Sequence, residues 1–139
     1  MRAYGRWLIL LALVLSASFA LAASPGQSII PALQAQLGLS EQQVRGALGA
    51  LLVFVREDLP KPEFDELARA IPNAERVMQD AKSRGIVTGP LDDISEFEAA
   101  LSSIGIGQPL ASQFAPAVVQ SLGDAGYVRE RDILVNALN

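Results

Sequence analysis

Between residues 40 and 58, apolar side chains fall at Val44, Ala47, Leu48, Leu51, Leu52 and Val55, at spacings of 3, 4, 7, 8 and 11 from the first. That is the period of a helix with a buried stripe, and it does not fit the alternation of a strand. Ser40 followed by Gln43 reads as a capping box at its start. Leu59-Pro60-Lys61-Pro62 breaks the pattern just beyond Asp58, because proline cannot donate the next helical hydrogen bond. A shorter helix precedes it, with Ser28 as cap, Pro31 in the first turn, Leu33 and Leu37 on one face and Gly38 as a left-handed stop. After the break, Pro62 opens a helix with Phe64, Leu67, Ala68 and Ile71 inward and Glu63, Asp65 and Glu66 in its first turn; Pro72 ends it. Acids are favoured there by the helix dipole. Residues 73–81 then offer a helix with Val77, Met78 and Ala81 inward.

Lys-Ser-Arg-Gly-Ile-Val-Thr-Gly-Pro, residues 82–90, has the Gly and Pro content of a linker. It separates a first helical half, about 28–81, from a second, about 91–138. Asp93 and Glu96 stand in capping-box spacing at the start of the second half, with Ile94, Phe97, Leu101 and Ile104 as the expected inward stripe and Gly105 as the stop. Pro109 starts the next helix, which carries Leu110, Phe114, Ala117, Val118 and Ser121 on one face. Pro116 is expected to kink it, and Gly123 and Gly126 to end it. The last helix, about 128–137, presents Leu134 and Leu138 four apart, with Val128 and Val135 on an adjacent stripe. No segment sustains period-two alternation. The pattern predicts one all-α domain over residues 23–139, a compact bundle of about six short helices.

Gly46, Gly49 and Ala50 interrupt the most apolar of these helices. Each glycine costs a helix up to ~1 kcal/mol relative to alanine, so close approach by another backbone should offset the loss. The three residues form a small-residue groove, used either for packing within the chain or as an interaction groove for a ligand or a second copy of the protein. Leu37-Gly38-Leu39-Ser40 is echoed 67 residues later by Ile104-Gly105-Ile106-Gly107. Both read as a helix stop, a tight turn and a new helix start, a geometry shared by many helix connections.

Several of these stretches together resemble a known pattern. Leu37-Gly38-Leu39-Ser40-Glu41-Gln42, the small-rich run from Gly46 to Leu52, Phe64 followed by Ala70-Ile71-Pro72, and Ile104-Gly105-Ile106 ahead of Phe114-Ala115-Pro116-Ala117-Val118-Val119 resemble the VcgC/VcgE-like bacterial domain of unknown function. The chain departs from that pattern in a less Gly-rich connecting segment and in Gly107, where the family usually has a capping serine. The resemblance implies an exported helical protein of Gram-negative bacteria, and it carries over no activity.

The N-terminus agrees with export. Arg2 and Arg6 precede the apolar run Trp7–Leu15, and Ala20-Leu21-Ala22 closes it. A basic start, an apolar core and a small-x-small triplet make up a secretory signal peptide, so residues 1–22 are expected to be removed after Ala22. An uncleaved anchor is the alternative, since the weakly polar stretch to Ala23 approaches the ~20 residues that span a bilayer. The destination is then periplasmic or extracellular, with no stable membrane span after cleavage.

Composition narrows the chemistry. The chain has 139 residues, 11 Lys and Arg, 15 Asp and Glu, no His and no Cys. Losing Arg2 and Arg6 leaves 9 bases against 15 acids, a net charge of −6. An acidic chain without a basic stripe is a poor nucleic-acid binder. Without imidazole or thiol it lacks the usual zinc ligands and the Ser-His and Cys-His nucleophile pairs. The remaining candidates are acids: Asp92, Asp93, Glu96 and Glu98 could offer oxygens to Ca2+, although capping explains them as well. Lys61 and Lys82, the only lysines, sit beside prolines or the linker, where they are expected to be solvated. The expectation is no catalytic, cofactor or metal site, and a non-enzymatic envelope module that binds a protein partner or itself. The alternative is a carrier of lipid or other small apolar ligands.

Overall fold

The computed structural model describes residues 29–139, which form seven α-helices and no strand. They are α1 (Ile30–Leu37), α2 (Glu41–Arg56), α3 (Lys61–Arg69), α4 (Ala74–Ser83), α5 (Ile94–Ser102), α6 (Leu110–Asp124) and α7 (Val128–Leu138). The expected leader, its cleavage point after Ala22 and the Ser28 cap lie outside the described residues. The chain is all-α, and the helices occupy the stretches that the apolar period marks out.

The bundle is organised around α2. Val44 and every residue from Gly46 to Val55 are buried, so this helix shows no dry-versus-wet face over the ten residues Gly46–Val55. A helix apolar all round is the kind that fills a core. Five of the six other described helices, α1, α3, α4, α5 and α7, pack against it, with α4 the most extensive neighbour. Phe54 of α2 stacks on Phe97 of α5 with ring centroids 5.8 Å apart, and Phe97 meets Phe114 of α6 at 6.4 Å. This aromatic row ties the two expected halves into one core.

Local signals set the helix ends. At the start of α2, Ser40 Oγ accepts from the Gln43 N–H (3.1 Å) and Gln43 Oε1 accepts from the Ser40 N–H (3.0 Å). This is the reciprocal capping box the spacing predicts. Gln43 has a second role, since its Nε2 donates to the Ile104 carbonyl, 61 positions away, at 3.1 Å. Gly85 and Gly105 take left-handed φ values of 73° and 86°, which a Cβ disfavours. After each, the next N–H reaches back five residues, Ile86 to Ala81 (2.9 Å) and Ile106 to Leu101 (3.0 Å). These are Schellman stops, and both turn the following isoleucine into the core.

Two expectations are corrected. Residues 82–90 are not a bare linker: α4 runs through Ser83, and Ile86, Val87 and the adjacent Leu91 are buried. The two helical halves thus share a core across this segment. Ile94 is 47% exposed and Val128 49% exposed. Each is the first residue of its helix, where the inward stripe has not yet begun; Leu91 and Ile133 are buried nearby in sequence. Pro116 lies inside α6, on its exposed side, where water can satisfy the carbonyl that its missing N–H frees.

The capping box yields a graded expectation. Ser40→Ala should lower unfolding free energy by ~1 kcal/mol. Gln43→Ala should cost about 1 kcal/mol more, because it also removes the bond to Ile104. Urea denaturation midpoints measure both; equal losses would contradict the cross-chain role of Gln43.

Candidate functional site

Gly46 and Gly49 lie on the side of α2 that receives α4 and the turn after it. A Cβ built on Gly49 would overlap the Val77 carbonyl oxygen and stand 2.9 Å from Ala81 Cβ. The backbone of α4 therefore sits where a side chain would otherwise be. A Cβ on Gly46 would meet the side-chain ends of Ile86 (2.9 Å) and Ile104 (3.1 Å), with Arg84 Nη1 at 3.6 Å. Ala50, the third member of the groove, has no exposed surface. Helix α4 and Ile86 fill the groove from within the chain, and it offers no open seat to a second molecule.

Most of the acidic candidates are engaged within the chain. Asp93 Oδ1 accepts from the Glu96 N–H, and Glu96 Oε2 accepts from the Asp92 N–H, each at 2.9 Å. Glu96 thus reaches Asp92, one residue short of the reciprocal box that the spacing suggests. Glu98 Oε2 accepts from Gln108 Nε2 at 2.9 Å. In α3, Asp65 pairs with Lys61 at 3.0 Å, while Glu66 holds Arg129 of α7 at 2.7 Å. Among the described residues, no three Asp or Glu converge as metal ligands. Lys61 is 85% exposed and Lys82 is exposed, so neither is desolvated as a nucleophilic lysine needs to be.

Open clefts flank the α4–α5 connection, and two of them have basic side chains in their walls. One, of about 550 Å³, is lined by Ser40, Gln43, Arg84, Ile86, Ser103 and Ile104. Three of its polar side chains are engaged locally, since Ser40 and Gln43 cap α2 and Ser103 Oγ donates to the Ala100 carbonyl at 2.6 Å. The other, of about 470 Å³, runs over Val53, Val87 and Pro90, with Arg56 and Lys82 beside them. Both cations also stand in the last turn of a helix, where the dipole favours positive charge.

One surface feature escaped the motif reading. Gln36 Nε2 of α1 donates to Gln120 Oε1 of α6 at 3.3 Å, and both residues are exposed. They mark a face built from two stretches without Asp, Glu, Lys or Arg, Ile29–Ser40 and Ala99–Gly123. The signal was present in the charge pattern along the chain, but only folding brings the two stretches together.

The glycines generate opposite expectations. In an open helix, Gly→Ala gains up to ~1 kcal/mol. Gly49→Ala should nonetheless destabilise by about 2 kcal/mol, because a backbone oxygen has to move. Gly46→Ala should be near neutral, since flexible isoleucine ends can yield. Chemical denaturation of both variants measures this, and equal behaviour would contradict the close approach at Gly49. For the acids, neither Ca2+ nor a chelator should move the thermal midpoint; stabilisation by Ca2+ would contradict their capping role.

No curated protein and no solved structure matches the chain. The family model described as protein of unknown function VcgC/VcgE (DUF2780) matches residues 15–139, most of the sequence and every described helix. The chain therefore belongs to the VcgC/VcgE family.

Proposed function

We propose that this chain is an exported, non-enzymatic helical module of the bacterial envelope that acts through its outer surface, by binding a protein partner or a second copy of itself. The observation that carries this reading is the filled groove on α2. The apolar stripes and the small-residue groove are occupied within the fold, and Asp65, Glu66, Asp93 and Glu96 are engaged in capping and surface pairs. What remains available to another molecule is the exterior. The signal-peptide pattern of residues 1–22 supports the export part of the reading. No helix among the described residues is long and apolar enough to cross a membrane.

The second reading, a carrier of small apolar ligands, draws on the cleft over Val53, Val87 and Pro90. It would hold its ligand at the surface and not among the inward stripes. Native mass spectrometry of protein purified gently from cells separates the two readings. The surface-binding reading expects the bare mass of a chain beginning at Ala23, alone or in a protein complex; co-purifying lipid would favour the carrier. A mass beginning at Met1 would contradict cleavage. Zero-length carboxyl-to-amine crosslinking in intact cells should give a discrete adduct with a copy or another envelope protein, and only uncrosslinked chain would count against an interaction module.

A further inference from the structure

All 24 charged residues of the described chain lie outside Ile29–Ser40 and Ala99–Gly123. These two stretches contain α1 and all of α6 except its last residue, Asp124, and the two helices pack side by side. Their outer surface carries Pro31, Ala32, Gln36, Gln113, Pro116 and Gln120, all exposed, and nothing among the described residues covers it. With 14 residues from Leu110 to Gly123 at 1.5 Å each, α6 gives this face a length of ~21 Å, and the face is two helices wide.

We propose that this uncharged α1–α6 face binds a second copy of the chain. The proposal rests on the self-association arm of the reading above and names the surface responsible. Beyond the leader the chain carries a net charge of −6, so two copies repel and a contact through their charged sides would desolvate like charges. At the α1–α6 face no charge has to leave water, in keeping with the depletion of charged residues at interface cores. Proteins with a twofold axis place the same patch on both partners, so the patch has to complement itself. Glutamine does this, because each carboxamide carries both a donor and an acceptor. Gln36 and Gln120 already pair in this way within one chain. The alanines and prolines between them let helices approach closely.

The test is sedimentation equilibrium over a concentration series, using the chain as purified from cells. Wild type is expected to be a monomer–dimer mixture. Gln36→Glu with Gln120→Glu should raise the dissociation constant at least tenfold. Ala32→Lys with Gln113→Lys should do the same, although it lowers the net charge to −4 and would tighten any contact governed by overall repulsion. Gln79→Glu with Asn136→Asp, exposed on α4 and α7, is the charge-matched control and should leave the dimer intact. Circular dichroism melts identify the folded variants, and either face variant alone suffices. A dimer indifferent to the folded face variants, or weakened equally by the control, overturns this surface while leaving self-association standing. A wild-type chain monomeric at every concentration overturns both. A monomer that co-sediments with phosphatidylcholine vesicles also overturns the proposal and assigns the face to lipid.

Discussion

The structure depends on enclosing α2 on all sides. From Gly46 to Val55 this helix has no solvent-facing position, so other helices must supply its entire surroundings. Burying each Val, Leu or Phe side chain contributes roughly 1.5–3 kcal/mol, and this segment holds more of them in sequence than any other described helix. The cost lies in geometry, because neighbours cannot ring a helix of large side chains without leaving voids. Gly49 resolves this on one side by letting the α4 backbone take the place of a side chain. Ile86 does so beside Gly46, delivered there by the Schellman turn at Gly85.

With the apolar material gathered around α2, charge is displaced to the periphery and distributed unevenly. The ion pairs Glu41–Arg45, Lys61–Asp65 and Glu66–Arg129 are solvent-facing on at least one side, where such pairs contribute little to stability. Their arrangement matters more for approach by other molecules than for folding. α3, α4 and α7 carry dense charge, while α1 and α6 carry none until Asp124 at the end of α6. The molecule thus presents a charged and an uncharged aspect, and the functional reading turns on that difference.

Much of the fold was legible in the chain itself. The capping box at Ser40 and Gln43 and the left-handed stops at Gly38 and Gly105 all appear where the local chemistry demands them. These are short-range features, decided within one helical turn. What could not be read was partnership across distance. The periodic stripe on α2 marked one face, but Val53 and Phe54 outside it are buried as well, because helices close in from every side. Composition made 82–90 look like a connector, while Ile86 and Val87 within it respond to cavities formed by distant residues. Sequence alone could pose the question of what fills the groove at Gly49 but could not name Val77.

Native-state hydrogen exchange tests the central role of α2 most directly. If the bundle is assembled around this helix, the amides of Leu48–Val55 exchange only through global unfolding, with a protection free energy equal to that from denaturation and the highest in the chain. Terminal helices α1 and α7 should open first. Exchange from the middle of α2 through a local opening, ahead of those helices, would contradict its place as the enclosed centre.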